Sequence, residues 1–218
     1  TCALPILLVS YTVILCMGNG YTCDESNILS IIDRQLFGEA HLYQKSPIDP
    51  EGFVSTLSAI AHTCIGFSCG KWIIQSHQTE NKVLRLFLTG FILMSIGYLL
   101  ADALPLNKRI WSPTFVLVTC GAASMSLATL MYYIDIRNKQ KWCRFFIIFG
   151  VNPLFLYVLS EVLAIMMGST GWKAAAYAAI HSGITDAYLA SAVYALVFTL
   201  FLGCIGYPLY LKKIYIKL

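Results

Sequence analysis

Apolar residues in this chain form long continuous runs instead of alternating with polar ones. A helix needs about 20 predominantly apolar residues to cross the hydrocarbon of a bilayer, and strands of a membrane barrel would alternate in short segments. The pattern therefore predicts an all-α, polytopic membrane helical bundle with about six transmembrane helices. The six stretches cover residues 2–18, 53–74, 83–103, 112–135, 145–167 and 188–211.

Composition supports a membrane protein. Hydrophobic residues make up 58% of the 218 positions and charged residues 12%, and the mean hydropathy is +0.70. A soluble domain has roughly 45–50% apolar and 25% charged residues. The eight cysteines show no paired CxxC spacing, so we expect buried free thiols and predict neither a disulfide framework nor a metal site. The net charge of +4 requires no acidic partner, and we predict no nucleic-acid binding.

The whole chain, residues 1–218, is predicted to be a single transmembrane domain and the C-terminal part of a longer protein. It opens on the apolar run "TCALPILLVSYTVILCM", with no initiator methionine or basic flank. Residues 19–52 are predicted to form an extracytoplasmic connection. Apolar spacing in "NILSIIDRQLFG" indicates a short interfacial helix there, with Asn27 as its N-cap and Gly38 at its end.

Basic residues divide unevenly between the two sides of this bundle. Because lysine and arginine concentrate in cytoplasmic loops, the richer side is predicted to be cytoplasmic, together with the C-terminus. The richer side carries ten: Lys71, Lys82, Arg85, Arg137, Lys139, Lys141, Arg144, Lys212, Lys213 and Lys217. The other side carries five: Arg34, Lys45, Lys108, Arg109 and Lys173.

Two carboxylates precede the second apolar run, in "SPIDPEGFVSTLSAIA". Asp49 as an N-cap, Pro50 in the first turn and Glu51 near the positive end of the helix dipole would be enough to explain them. A cap needs only one carboxylate, however, so a substrate role for the pair remains open. The hairpin "LNKRIWSPTFV" brings Asn107 and Lys108 to the same side, which predicts one polar vestibule shared by the two loops.

Several polar groups lie within the apolar runs. His62 is either a hydrogen-bonding structural residue or part of a proton path. Asn152–Pro153 indicates either a packed kink or a broken helix with a free N-terminus, and Glu161 is expected to face the bundle interior. Gly66 and Gly70 form a GxxxG pair, which predicts close packing against another helix.

Four blocks of sequence together carry a resemblance. "DPEG", "LNKRIWSPTFV", "GVNPLFLYVLSE" and the terminal "LYLKKIYIKL" resemble the C-terminal half of the heparan-α-glucosaminide N-acetyltransferase family, in the family's order and over most of residues 27–218. The resemblance implies a membrane acyltransferase, here expected in a bacterial inner membrane. It implies acetyl-CoA as the cytoplasmic co-substrate and an amino sugar as the acceptor on the extracytoplasmic side.

The family's reactive histidine lies in an N-terminal half that this sequence lacks, and none of His41, His62, His77 and His181 has a matching context. The chain alone is therefore expected to be inactive. Its partners would be the lipid bilayer, the missing half and the acceptor, and a homo-oligomer is allowed. Expected substrate-binding residues are Asp49, Glu51, Asn107, Lys108, Asn152 and Glu161.

Two further questions stay open at this point. The cluster Arg137, Lys139, Lys141 and Arg144 either attracts the phosphates of CoA or only sets the topology. Competing functions from other classes are a membrane transporter and a non-catalytic membrane scaffold. A transporter would be expected to contain an inverted repeat, and no internal similarity between the first and last three helices is visible.

Overall fold

The computed structural model describes residues 3–43, 46–76 and 78–216, and all regular elements within these ranges are helical. Cys2, Lys45, His77 and Lys217, which figured in the sequence analysis, lie outside the described residues. The chain divides into two compact units, Thr1–Asn138 and Lys139–Leu218.

The first unit contains five α-helices. Two shorter elements accompany them, a 3₁₀ turn at Glu39–His41 and a π-helical turn at Tyr132–Ile136 that extends the last helix. The α-helices are α1 (Ala3–Met17), α2 (Ile28–Phe37), α3 (Thr56–Gln75), α4 (Thr79–Leu100) and α5 (Pro113–Met131). The second unit contains α6 (Cys143–Val151), α7 (Pro153–Ser169), α8 (Trp172–Gly183) and α9 (Ala187–Leu211).

A helical membrane bundle is confirmed, with fewer complete spans than the six predicted. Four helices in the described chain are long and apolar enough to cross a bilayer: α3, α4, α5 with its π turn, and α9. The helices α6 and α7 make a fifth span only if they count together, because the chain bends by 81° between them. Within 2–18 the apolar helix is Leu4–Met17, which is shorter than the length a span requires.

The cap and stop predicted for the helix in the first connection are confirmed. Asn27 precedes α2, and its side-chain oxygen accepts a hydrogen bond from the Leu29 N–H at 2.9 Å. The Asn27 amide also donates to the carbonyls of Gly20 and Thr22, at 2.8 and 2.9 Å, which fixes the preceding turn. Gly38 ends α2 with φ at 75°, in the left-handed region that glycine tolerates.

Close helix packing occurs at a different glycine pair from the one predicted. A Cβ at Gly90 of α4 would lie 2.7 Å from the Gly121 carbonyl oxygen of α5, and one at Gly121 would lie 2.6 Å from the Gly90 oxygen. By contrast, a Cβ at Gly66 or Gly70 of α3 would meet no atom within 4 Å of the described chain. Within the described chain the close packing predicted for Gly66 and Gly70 is not observed, and α4 with α5 forms the tight pair.

A buried apolar cluster holds the loops of the first unit together. It contains residues of α1 (Tyr11, Leu15) and α2 (Leu29), and also Ile48 and Ile110 from two loops. The Tyr11 hydroxyl donates to the Ile110 carbonyl and so fastens the hairpin between α4 and α5 to α1. The same cluster therefore anchors the loop that precedes α3.

In the second unit, α9 packs against α6 and α7 along a glycine face. A Cβ at Gly206 would lie 3.1 Å from a methyl of Ile148 in α6 and 3.2 Å from one of Leu156 in α7. Asp186 caps the start of α9 by accepting the Leu189 N–H at 2.7 Å. Of the seven described cysteines, all free thiols, only Cys69, Cys120 and Cys143 are buried, so the expectation of mainly buried thiols holds in part.

Candidate functional site

A pocket of about 620 Å³ opens in the first unit, between the end of α2 and the loop that leads to α3. Three carboxylate residues, one histidine and two aromatic rings border it. Among the described residues that border it, none is lysine or arginine. Lys45 of the same loop lies outside the residues that the structure describes. The lining residues are Asp33, Phe37, His41, Leu42, Tyr43, Asp49, Pro50, Glu51 and Gly52.

Two polar contacts and one buried side chain fasten the loop to α2. Ile48 is 2% exposed and belongs to the core cluster. The Ser30 hydroxyl donates to the Pro47 carbonyl at 2.5 Å, and the Phe53 N–H donates to Asp33 Oδ1 at 2.9 Å. Because both α2 residues lie on its buried face, the floor of the pocket is set by the amphipathic pattern of this helix.

Asp49 does not cap α3, so the capping role predicted for it is wrong. Its Oδ1 accepts the Glu51 N–H at 2.9 Å, and its Oδ2 accepts the Tyr43 N–H at 3.2 Å. The Gly52 N–H also donates to the Asp49 carbonyl at 3.2 Å, which closes a turn. An aspartate bonds readily to the amide two residues further on, and here that choice creates a separate turn before the helix. The helix itself begins only at Thr56.

Glu51 lies at the mouth of the pocket and is exposed. The described chain offers its carboxylate no hydrogen bond or ion pair. Since α3 starts five residues later, Glu51 is too far along the chain to act on the first turn of that helix. Of the two explanations that the sequence left open, helix capping therefore loses its basis, and an exposed carboxylate facing a pocket remains.

Asp33 is the most unusual group in the pocket wall. The residue has no exposed surface, and its Oδ2 has no hydrogen-bond partner in the described chain. Burial raises the pKa of the Asp33 carboxyl, the Phe53 N–H opposes that rise, and the nearby Asp49 charge adds to it. Arg34 is not its counter-ion, because that guanidinium forms ion pairs with Glu25 and Glu39 at 3.0 and 3.1 Å.

The remaining walls are aromatic. Phe37 and Phe53 pack edge to face, with ring centroids 6.4 Å apart. Nδ1 of His41 lies 2.9 Å from the Phe37 carbonyl oxygen, so it donates that hydrogen bond and leaves Nε2 as its other polar atom. Asp33, Phe37 and Tyr43 were not among the site residues predicted from the sequence. The signal for Asp33 was present, because it falls four residues after Leu29 on the apolar side of α2.

Asn107 and Lys108 do not border this pocket, so a vestibule shared with Asp49 and Glu51 is not observed. Asn107 organises its own turn: its N–H donates to the Ser112 hydroxyl at 3.0 Å, and its side chain accepts the Arg109 N–H at 2.9 Å. Lys108 is exposed. The hairpin and the loop before α3 share apolar core residues and not a polar cavity.

The two predicted substrate residues of the second unit differ from each other. Asn152 is 4% exposed; its Nδ2 donates to the Ile214 carbonyl at 2.9 Å and its Oδ1 accepts the Ile216 N–H at 2.8 Å. It therefore fastens the segment after α9 and does not cap α7. Glu161 is exposed on α7 within the described chain and does not face the interior of its own unit. A substrate role for either residue stays a prediction.

His62 packs its ring against Trp111, with centroids 5.8 Å apart. It also borders a groove of about 250 Å³ between α3 and α5, together with Cys69 and Ser124. The groove is mainly apolar, and none of the described residues that line it is a carboxylate that could relay a proton with this histidine. In the described chain, no three histidine, cysteine or acidic side chains converge as a metal ion would require.

Comparison with known proteins supports the resemblance inferred from the sequence. A curated heparan-alpha-glucosaminide N-acetyltransferase from Mus musculus is 27% identical over 204 residues, covering 86% of this chain and 30% of the mouse protein. The chain resembles that family. The Homo sapiens protein of the same name is 28% identical over 204 residues, covering 86% of this chain and 29% of its own length. No family model matches the chain.

The family-level resemblance is thus confirmed, over most of the chain. The chain spans about 30% of the length of these heparan-alpha-glucosaminide N-acetyltransferases, so the larger part of each relative has no counterpart here.

Proposed function

We propose that this chain is the C-terminal membrane portion of an acetyltransferase that moves acetyl from acetyl-CoA to an amino sugar. In this proposal the pocket beside α2 binds the amino group of the acceptor. The resemblance to the heparan-alpha-glucosaminide N-acetyltransferases supports the reaction class. The observation that carries the pocket's role is its set of three carboxylates, Asp33, Asp49 and Glu51, with no described lysine or arginine beside them.

The chemistry of the acceptor fits such a pocket. A sugar amine is largely protonated near neutral pH, and carboxylates stabilise the cation and fix its orientation. Aromatic side chains such as Phe37 and Tyr43 offer flat apolar faces on which a sugar ring can rest. For acetyl transfer the ammonium must lose a proton before its nitrogen attacks the thioester, so a carboxylate close to it serves both binding and proton removal.

The donor side of the reaction rests on the resemblance. Acetyl-CoA is the proposed co-substrate, approaching from the cytoplasm. The exposed residues Arg137, Lys139, Lys141 and Arg144 provide positive charge that suits its phosphates, whether or not they also set the topology. The reactive histidine is proposed to lie in the N-terminal half of the full-length protein.

The proposed orientation puts the pocket on the extracytoplasmic side of a bacterial inner membrane and the C-terminus in the cytoplasm. The division of lysine and arginine supports it. In a cysteine-free background, single cysteines at Glu51 and Lys213 should react with an impermeant maleimide from opposite sides. Reaction of both from the same side would refute this topology.

Acetyl transfer itself is tested with labelled acetyl-CoA and glucosamine in proteoliposomes. The full-length protein is expected to form labelled N-acetylglucosamine, and residues 1–218 alone are expected to form none. Transfer by residues 1–218 alone would show that the reactive group lies within this chain.

A second candidate function is transport, favoured by the break between α6 and α7. Helices interrupted within the membrane commonly form substrate sites in transporters. The 81° bend at Asn152 has that form, although the polar atoms of Asn152 already hold the segment after α9. Uptake of labelled glucosamine into proteoliposomes without any acetyl-CoA would favour transport over acetyl transfer.

A further inference from the structure

The free oxygen of Asp33 has no counterpart among the other acids of the pocket. Asp49 uses both of its oxygens within the loop, and Glu51 is in water. Asp33 is fully buried, uses Oδ1 for the Phe53 N–H and leaves Oδ2 without a partner. A buried polar atom without a partner destabilises the folded state, and more so when it is charged. Such a group is uncommon in a folded protein unless a ligand or a function uses it.

The surroundings of Asp33 do not neutralise it. The titratable groups near it are Tyr11 of α1, whose hydroxyl is already bonded to Ile110, and Asp49, which carries the same sign of charge. His41 borders the same pocket from the 3₁₀ turn, and Arg34 is paired with two glutamates on the other side of α2. In the described chain, no positively charged side chain pairs with the Asp33 carboxylate.

Gly52 lies directly against that oxygen. Gly52 also borders the pocket, and a Cβ at this position would collide with Asp33 Oδ2. A residue other than glycine here would therefore displace the Asp33 carboxylate or the turn. Because Asp33 has no exposed surface, a ligand reaches it when the turn Asp49–Gly52 yields, and this turn is a single short loop outside any helix.

We propose that Asp33 Oδ2 is the partner of the acceptor's ammonium group, and that the two meet when the turn ending at Gly52 moves aside. Asp33 then determines specificity, because it binds the protonated amine and has no such interaction with the neutral acetylated product. The inference rests on the proposed function and names the atom that distinguishes substrate from product. It also explains product release, since acetylation removes the charge that Asp33 binds.

The test measures binding and not turnover. Glucosamine and N-acetylglucosamine are titrated into the full-length protein in nanodiscs by calorimetry, without acetyl-CoA. Asp33→Asn is expected to weaken glucosamine binding at least tenfold and to change N-acetylglucosamine binding less than twofold. Gly52→Ala, which leaves the charge of Asp33 in place, is expected to weaken glucosamine binding in the same way. The matched control is Asp24→Asn, an exposed acid of the same connection that bonds only to its neighbours Ser26 and Thr22.

Other outcomes separate the two levels of the proposal. If the unmodified protein binds no glucosamine, the proposed function of the pocket fails. If it binds glucosamine and Asp33→Asn remains within twofold of it, only the role of Asp33 fails. If Asp33→Asn does not fold, glucosamine binding is compared between Asp49→Asn and Gly52→Ala instead. A larger loss of binding in Asp49→Asn than in Gly52→Ala would overturn the assignment of Asp33. Tighter glucosamine binding by Lys45→Gln, at least tenfold, would show that Asp33 already has an internal partner and would also overturn it.

Discussion

Asp33 in the first unit and Asn152 in the second are both nearly free of solvent contact, yet their hydrogen bonding is opposite. The amide of Asn152 donates one bond and accepts another, and both go to the segment after α9. The carboxylate of Asp33 has one bond and one unpartnered oxygen. From sequence alone Asn152 was the better site candidate, because it precedes a proline inside an apolar run. The comparison shows that unused hydrogen-bonding capacity, more than polarity in an apolar stretch, marks the group available to a ligand.

The largest expected effect tests the structural side of this comparison. Asn152→Leu removes both bonds and leaves the Ile214 carbonyl and the Ile216 N–H without partners, which should lower the free energy of unfolding by about 1–3 kcal/mol. Thermal unfolding of the protein in detergent measures this, and limited proteolysis should show earlier cleavage after α9. Asn152→Asp keeps the acceptor for the Ile216 N–H but places a buried carboxylate oxygen against the Ile214 carbonyl, so it should not restore the stability. Unchanged unfolding in Asn152→Leu would contradict this fastening role of Asn152.

Next in size is the effect of Glu51 on turnover. Glu51→Gln removes the exposed charge at the mouth of the pocket while keeping its shape. Turnover of glucosamine by the full-length protein should fall at least tenfold, or about 1.4 kcal/mol of transition-state stabilisation, with unchanged thermal stability. Glu80→Gln, at an exposed glutamate in the first turn of α4, is the matched control. Near-normal turnover in Glu51→Gln would leave the acceptor pocket without kinetic support.

The helical class and the ends of several elements were accessible from sequence because local chemistry sets them. As predicted, α2 starts after Asn27 and ends before Gly38. Pro113 is the first residue of α5, and the hydroxyl of the preceding Ser112 accepts a hydrogen bond from the Phe115 N–H. These are contacts between near neighbours, so composition and spacing are enough to find them. The start of α3 was placed too early, because Asp49 had two local options and the chain uses the turn.

Long-range choices were less accessible. Nothing local distinguishes Gly66 and Gly70, whose Cβ positions meet no atom of the described chain within 4 Å, from Gly90 and Gly121, which interlock. The residues that line the pocket were equally hard to predict. Asn107 and Lys108 were expected beside Asp49 only because both loops were predicted on the same side of the membrane, whereas the hairpin contacts the core through Ile110. Asp33 was missed because a free oxygen becomes visible only when all neighbouring donors have been placed.

A smaller expected effect concerns pH. The folded-state pKa of Asp33 is raised above its ordinary value of 3.8, so its contribution to stability is fully present below that value and is lost as pH rises through the raised one. Asp33→Asn has no titratable group at this position, so it does not lose stability in this way as pH rises. Its unfolding temperature should therefore exceed that of the unmodified protein near pH 7, by about 2–4 °C per kcal/mol, and the difference should vanish toward pH 4. A difference that does not change between pH 4 and 7 would contradict the buried, unpartnered carboxylate.

The smallest expected effect is at Asp49, the acid whose oxygens are already engaged. Asp49→Asn keeps an oxygen for the Glu51 N–H but gives up the longer bond from the Tyr43 N–H, so unfolding should weaken by only about 0.5 kcal/mol. Glucosamine binding should fall less than threefold, because each oxygen of this carboxylate already accepts a bond within the loop. Asp49→Ala loses both bonds, which should loosen the turn over Asp33 and weaken glucosamine binding further than Asp49→Asn does. Calorimetry on the two variants together separates charge from turn geometry. Equal and large losses of glucosamine binding in both variants would mean that the charge of Asp49, and not the turn it holds, binds the amine. The contrast between Asp49, with both oxygens hydrogen-bonded, and Asp33, with one oxygen free in the described chain, would then not explain which carboxylate binds the ligand.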